Sequence, residues 1–224
     1  MNSSFELIIA FAVAAFLLWR LHSVLGTTHE GDQQEGPSAP NPYAPPPPPQ
    51  GAHDAAPRRA DAAPTPDEIH ATSVNAGLGH IQAADPSFNE QVFLTGAEQA
   101  FAMIVTAFAK GDRETLRMLL ADNLYSTFDR AITDRDGREE EQETEIDRII
   151  AIDVREAELV GTDARVTVEI VSEQINVTRD KDGNTVAGHP DQLEEVRDIW
   201  SFTRDVSSRD PAWRLIETRA PAAN

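Results

Sequence analysis

Acid–base chemistry needs a carboxylate held in a dry, shaped site, and Asp198 is the candidate to weigh, against the alternative of an Asp near a strand end paired with a neighbouring strand or a cap. It alternates in phase with Val196, Trp200 and Phe202 along VRDIWSFTRD, so a strand there turns it toward the same face as three apolar side chains. Arg204 shares that phase but lies about 20 Å further along such a strand, too far for a direct pair. Other chemical constellations lack parts. Five of the six histidines, at positions 22, 29, 53, 70 and 80, precede the region with globular patterning, and only His189 falls within it, beside Pro190. A Ser-His-Asp set therefore has one candidate base and no nucleophile signature, and a histidine metal site has too few ligands. There is no Cys, which excludes disulfides, thiolate catalysis and cysteine zinc sites. No GxxxxGK[ST] loop and no GxGxxG after a strand is present to cradle phosphate. The carboxylates of Glu139, Glu140, Glu141, Glu143 and Glu145 read as a solvated loop. No cofactor, no metal and no catalytic residue is expected.

The elements that would position Asp198 begin near Asp85. Val92, Phe93, Ala97, Ala100, Phe101, Ile104, Val105 and Phe108 recur with helical spacing, and Gly111 ends that helix. A second helix, capped by Asp112, carries Leu116, Leu119 and Leu120. A third, capped by Asp122, carries Leu124, Tyr125, Phe128 and Ile132 and stops near Gly137. The period then changes to two. Ile150, Ile152 and Val154 form one strand, Val166, Val168 and Ile170 a second, Val196, Trp200 and Phe202 a third, and Trp213 with Leu215 a fourth. Gly161-Thr162-Asp163 and Asp182-Gly183 read as hairpin turns. Helices first and then mainly four antiparallel strands predict an α+β domain over residues 85–219, with a short tail at 220–224. Phe101, Ile104, Phe108, Tyr125, Phe128, Trp200, Phe202 and Trp213 are the expected core, and the residues from which an apolar pocket or interface could be built. Such a pocket would open beside the first helix of the domain.

Ahead of the domain the composition is different. Residues 5–25 contain the run LIIAFAVAAFLLW, continued to Leu25, which as a helix would measure roughly 28 Å against a hydrocarbon core of about 30 Å. Leu7, Phe11 and Phe16 would face lipid, Trp19 would sit at the interface, and Arg20 would snorkel to the headgroups. A cleaved signal is the competing reading, but no Lys or Arg precedes the run. Arg20 after the span favours a C-terminal domain in the cytoplasm. Residues 26–84 read as a disordered linker with PNPYAPPPPPQ at its centre. That stretch is a polyproline II spacer or, alternatively, a docking motif. Formal net charge is −19, and from Asp85 onward 30 acidic residues face 16 basic ones. Such a surface repels phosphate backbones, so nucleic acid is not an expected partner, whereas basic proteins are.

Several stretches together carry a resemblance. They are FLTGAEQAFAMIVTAFAKGDRETLRMLLADNLYSTFDRAI (Phe93 to Ile132), RDKDGNTVAGH (Arg179 to His189), VRDIWSFTRD (Val196 to Asp205), Pro211 to Leu215, and LLWRLHSVLG (Leu17 to Gly26). In this order the chain resembles bacterial TimA-type members of the Tim44-like family, relatives of a subunit of the mitochondrial inner-membrane protein translocase. The resemblance implies a nuclear-transport-factor-two-like domain, a curved sheet wrapped by helices around a cone-shaped apolar pocket. It also implies membrane tethering, with translocase, chaperone or envelope-assembly proteins as partners. Residues 1–84 show no long basic region like that of the mitochondrial members, a departure from their pattern. The expectation is a single-pass adaptor of the bacterial inner membrane that contacts the bilayer through its N-terminal helix. The alternative is a small-molecule or lipid pocket protein, or an isomerase-like enzyme of the same fold. Related pocket folds include isomerases that use an interior Asp with a Tyr as oxyanion donor, roles open to Asp198 and Tyr125.

Overall fold

The computed structural model describes residues 65–221. The apolar run with Leu7, Phe11, Phe16, Trp19 and Arg20, the Pro-rich stretch and the last three residues lie outside them.

The first element corrects the sequence reading. Residues 66–84, expected to belong to a disordered linker, form helix α1 (Pro66–Ala84). Its start is a capping box: the Glu68 amide donates to the Thr65 hydroxyl at 3.3 Å, and the Thr65 amide donates to the Glu68 carboxylate at 2.8 Å. Its apolar stripe is short. Leu78 and Ile81 are buried and Val74 packs against the same cluster. Only three apolar contacts in five turns explain why periodicity alone did not reveal the helix. Gly77 permits the approach to the sheet, because a Cβ there would overlap the backbone carbonyl of Ala157.

Helix α2 (Glu90–Lys110) is the longest element on the core side. Asn89 caps it, accepting from the Val92 amide at 2.9 Å, and Gly111 at φ 69° turns the chain out. Phe93, Ala97, Phe101, Ile104 and Ala107 are buried, whereas Val92, expected on that stripe, is 71% exposed at its margin. Among the described residues α2 is the one helix long and apolar enough to cross a membrane. Its buried face belongs to the core, so it is read here as a core helix. Helix α3 (Arg113–Leu119) is capped by Asp112, whose carboxylate accepts from the Thr115 amide at 3.1 Å. Helix α4 (Asp122–Gly137) departs from expectation at its start. Asp122 is the first helical residue and not the cap. Ala121 takes the cap position without a side-chain bond, and its amide donates to the Leu215 carbonyl at 2.9 Å.

Five strands follow, one more than the four expected: β1 (Glu141–Val160), β2 (Asp163–Arg179), β3 (Thr185–Gly188), β4 (Glu194–Asp205) and β5 (Arg214–Arg219). The sheet is antiparallel in the order β1-β2-β4-β5. Strand β3 pairs with Val177–Arg179 of β2, beyond Gln174 where pairing with β4 stops. The hairpin read at Asp182-Gly183 is present, with Gly183 at φ 82°, but its return strand is β3 and not β4. The acidic run is solvated as expected yet is not a loop. Glu141, Glu143 and Glu145 are the exposed members of β1, alternating with half-buried Gln142, Thr144 and Ile146. Three register shifts along β1, at 146/148, 149/151 and 154/156, bend and twist the strand.

One face of this curved sheet carries Ala164, Val166, Val168 and Ile170 of β2 with Trp200 and Phe202 of β4. Helices α2 to α4 cover it. Phe101 packs at a tilt against Trp200, 4.8 Å between centroids, and Phe108 meets Phe128 edge-on at 5.1 Å.

Candidate binding grooves

Two apolar grooves flank the core at opposite ends of α2. The first, of about 520 Å³, lies between the N-terminal half of α2 and the chain leading into β5. Phe88, Phe93, Trp213 and Phe202 form its wall. Phe93 and Trp213 are 4.8 Å apart, Phe88 and Trp213 6.0 Å, and Phe93 and Phe202 5.9 Å. Val92, Gly96 and Ala100 line the helix side. Arg204 closes the inner end. Its guanidinium pairs with Asp85 and lies 5.3 Å from the centroid of the Trp213 ring, and both side chains of the ion pair are largely buried. Arg204 Nε is a buried donor with no acceptor among the described residues. The position of Arg204 in phase with Trp200 and Phe202 was readable in the sequence. Its partner was not, because Asp85 is 119 residues away.

The second groove, of about 390 Å³, opens at the far end between α4 and the β1–β2–β3 corner. Phe108, Ala131, Val177, Gly188, Gln142 and Asn176 line it, with Arg135 at its base. Arg135 is only 7% exposed. It donates to the Phe108 and Ala109 carbonyls at 2.9 and 3.0 Å and to Gln142 Oε1 at 2.7 Å. These bonds complete the carbonyls at the end of α2, where Phe108 also accepts from the Gly111 amide at 3.2 Å, with a cation at the negative end of the helix. Burial lowers the Arg135 pKa from its ordinary value. The sequence reading missed Arg135. The signal was available: a basic residue three positions after Ile132, on the buried face of an amphipathic helix.

A third cavity, of about 420 Å³, is polar. His70 and Ser73 of α1 face Arg155, Glu156, Thr167 and Ser201 across it. The Thr167 and Ser201 hydroxyls are hydrogen-bonded at 2.8 Å, Glu169 pairs with Arg155, and Arg219 pairs with Glu156 at 3.0 Å. Its charges are largely matched within the fold.

The residues named from sequence are dispersed accordingly. Phe101, Ile104, Tyr125, Phe128 and Trp200 are packed in the core. Phe108 borders the second groove, and Phe202 and Trp213 border the first. Asp198 is buried on the core face opposite Ile170 and is engaged there. Tyr125 is buried, with the Arg117 guanidinium 4.1 Å from its ring centroid. Neither Asp198 nor Tyr125 lines any of the three cavities. Among the described residues no group of three or more His, Asp or Glu side chains could hold a metal ion.

Helices packed on an antiparallel sheet, with grooves walled by packing side chains, define a small α+β domain. The family is specific. The model of the Tim44-like domain matches residues 74–220, and the chain belongs to the Tim44-like family. It is similar to the probable mitochondrial import inner membrane translocase subunit tin-44 of Caenorhabditis elegans, 30% identical over 150 residues that cover 64% of this chain and 35% of that protein. It is also similar to the mitochondrial import inner membrane translocase subunit TIM44 of Homo sapiens, 22% identical over 152 residues, 66% and 34% of the two chains. The match thus spans about a third of the length of these relatives. Among solved structures, the intermembrane space region of the chloroplast protein ARC6 aligns with 58% of this chain and 97% of its own at 13% identity and a TM-score of 0.41.

Proposed function

We propose that this protein is a single-pass adaptor of the bacterial inner membrane, a TimA-type member of its family. Its acidic domain holds protein partners of a translocase or envelope-assembly machine close to the bilayer. One observation carries the reading: a Tim44-like domain stands in the same chain as an apolar run, Leu7 to Leu25, long enough to cross a bilayer. Because α1 belongs to the domain, the tether is residues 26–64. The two apolar grooves are the places where partner side chains or lipid tails would bind, in keeping with a pocket fold of the nuclear-transport-factor-two type. Arg20 after the span favours a cytoplasmic domain. A phosphatase fused at residue 65 would be inactive in that orientation.

The test is alkaline carbonate extraction of membranes followed by crosslinking. The adaptor stays in the pellet and crosslinks to envelope proteins of the transport machinery. Release into the supernatant, or crosslinks no stronger than those of an unrelated anchored protein, contradicts the reading. A second reading, a small-molecule pocket protein or isomerase, draws on Asp198, buried on the core face opposite Ile170. Asp198→Asn that leaves ligand turnover and the unfolding midpoint unchanged would remove its enzyme form.

A further inference from the structure

The groove beside α2 has aromatic side chains on one side and an open lip on the other, and the sequence ahead of the described residues contains a proline-rich segment. Its wall is aromatic: Phe88 and Phe93, each 6% exposed, back the half-buried Trp213, which is the ring open to an occupant beside exposed Pro211 and Ala212. Aromatic-lined grooves are the surfaces that take polyproline II segments, whose preformed shape costs little entropy on binding. The opposite lip is flat. A Cβ on Gly96 would meet no atom within 4 Å, so nothing in the domain fills the space above it. An unopposed glycine in the middle of a helix costs about 1 kcal/mol relative to alanine. Val92 stands 71% exposed at the rim.

We propose that Pro40–Gln50 of the same chain docks in this groove as a polyproline strand. The segment is PNPYAPPPPPQ, which has no charged side chain and so carries none into an apolar cleft. Its reach is sufficient. The groove lies at the C-terminal end of α1, and the described chain begins at Thr65, at the other end of that helix. Nineteen helical residues put these points about 28 Å apart. Gln50 and Thr65 are fifteen Cα-to-Cα steps apart, which reach about 50 Å when fully extended. Docking is intramolecular, at an effective concentration of about millimolar order, so a weak contact suffices to fill the groove. Docking would draw the tether back along α1 and hold the domain nearer the anchor. A partner that takes the groove would release that length.

The test uses the full chain in lipid nanodiscs, with a photoreactive benzoylphenylalanine in place of Tyr43. Docking predicts crosslinks from position 43 to residues 87–100 or 211–213. Gly96→Leu fills the groove, and replacing each of Pro45 to Pro49 with Ser removes the strand's preferred shape. Either change should lower the yield about tenfold, the ratio set by a loss of about 1.4 kcal/mol. Gly96→Leu replaces a poor helix former at a position with no neighbour, so the unfolding midpoint stays the same or rises. Crosslinks confined to other parts of the domain, or a yield indifferent to Gly96→Leu, overturn the proposal. So does a yield that rises with protein density in the membrane, because the strand would then come from a second copy.

Discussion

One face of β2 is built in two ways. Ala164, Val166, Val168 and Ile170 are apolar and form the floor under α2 and α4, whereas Ser172, Gln174 and Asn176, next on the same face, are polar. Each half satisfies itself differently. The first half packs against Phe101, Trp200 and Phe202. The second is a hydrogen-bonded ladder: Gln174 Nε2 donates to the Ser172 hydroxyl at 2.7 Å and the Thr144 hydroxyl donates to Asn176 at 2.7 Å. Dispersion and burial are additive and forgiving of shape only at a cost in cavities, while a buried polar ladder is only as good as its least satisfied member. The apolar half should therefore hold most of the stability, and the polar half should be the part that yields when the fold is stressed.

The largest effect expected is at the apolar half. Phe101→Ala should destabilise the domain by about 3–5 kcal/mol, read from urea or guanidinium midpoints. Asn176→Ala, in the polar half, should cost about 1 kcal/mol. Equal losses would erase the distinction between the halves. Next is Arg135→Met, which removes the side-chain donor to the Phe108 and Ala109 carbonyls and to Gln142, leaving Phe108 its bond from the Gly111 amide. About 2 kcal/mol is expected, with faster amide exchange at the end of α2 and the start of β1 before exchange rises elsewhere. Uniform acceleration across the domain would show that the two ends are one cooperative unit.

Gly77→Ala tests whether α1 belongs to the folded domain. Alanine is the better helix former by about 1 kcal/mol, so an isolated or loosely attached α1 would gain stability. Against β1 the new Cβ meets the Ala157 carbonyl, and a net loss of about 1–2 kcal/mol is expected. A raised midpoint would detach α1 from the domain.

The smallest effect is in acid. The Thr115 hydroxyl and amide hold the Asp112 carboxylate below its ordinary pKa, and the Asn184 side chain and amide do the same for Asp180. Their pKa values are lower folded than unfolded, where Asp titrates near about 3.9. The folded state therefore binds fewer protons. The contribution is complete above that value and drains away as pH falls through it toward the folded-state pKa. Thr115→Val should make the loss of stability below about pH 4 shallower, as followed by denaturant midpoints across the acid range. An acid limb unchanged by the substitution would remove Asp112 from the account.

How far the sequence reading went follows the same division. Where one face was apolar, period and caps sufficed: α2 with its Gly111 stop, α3 with its Asp112 cap, and the strands around Val166 and Trp200 are where the pattern puts them. Where the inward face is polar, the pattern had no contrast. The acidic run Glu139 to Glu145 reads as a solvated loop because Gln142 and Thr144 look like solvent residues until Asn176 is seen beside Thr144. Helix α1 was hidden by a stripe of three residues, although its capping box at Thr65 and Glu68 was in plain view. Of the residues named for a pocket, Phe108, Phe202 and Trp213 border grooves, and the others complete the core. The Arg204–Asp85 pair and the reach of Arg135 to the end of α2 were beyond any local rule, being products of the tertiary fold.

The domain is proposed to work as one arm of a membrane tether. The most direct measurement compares the intact chain with a chain starting at Thr65, each crosslinked in cells and recovered from washed membranes. The account predicts that the intact chain remains in the membrane with crosslinked transport components, while the shortened chain appears in the soluble fraction and loses them from the membrane. Equal recovery of both forms in washed membranes with the same crosslinks would contradict it.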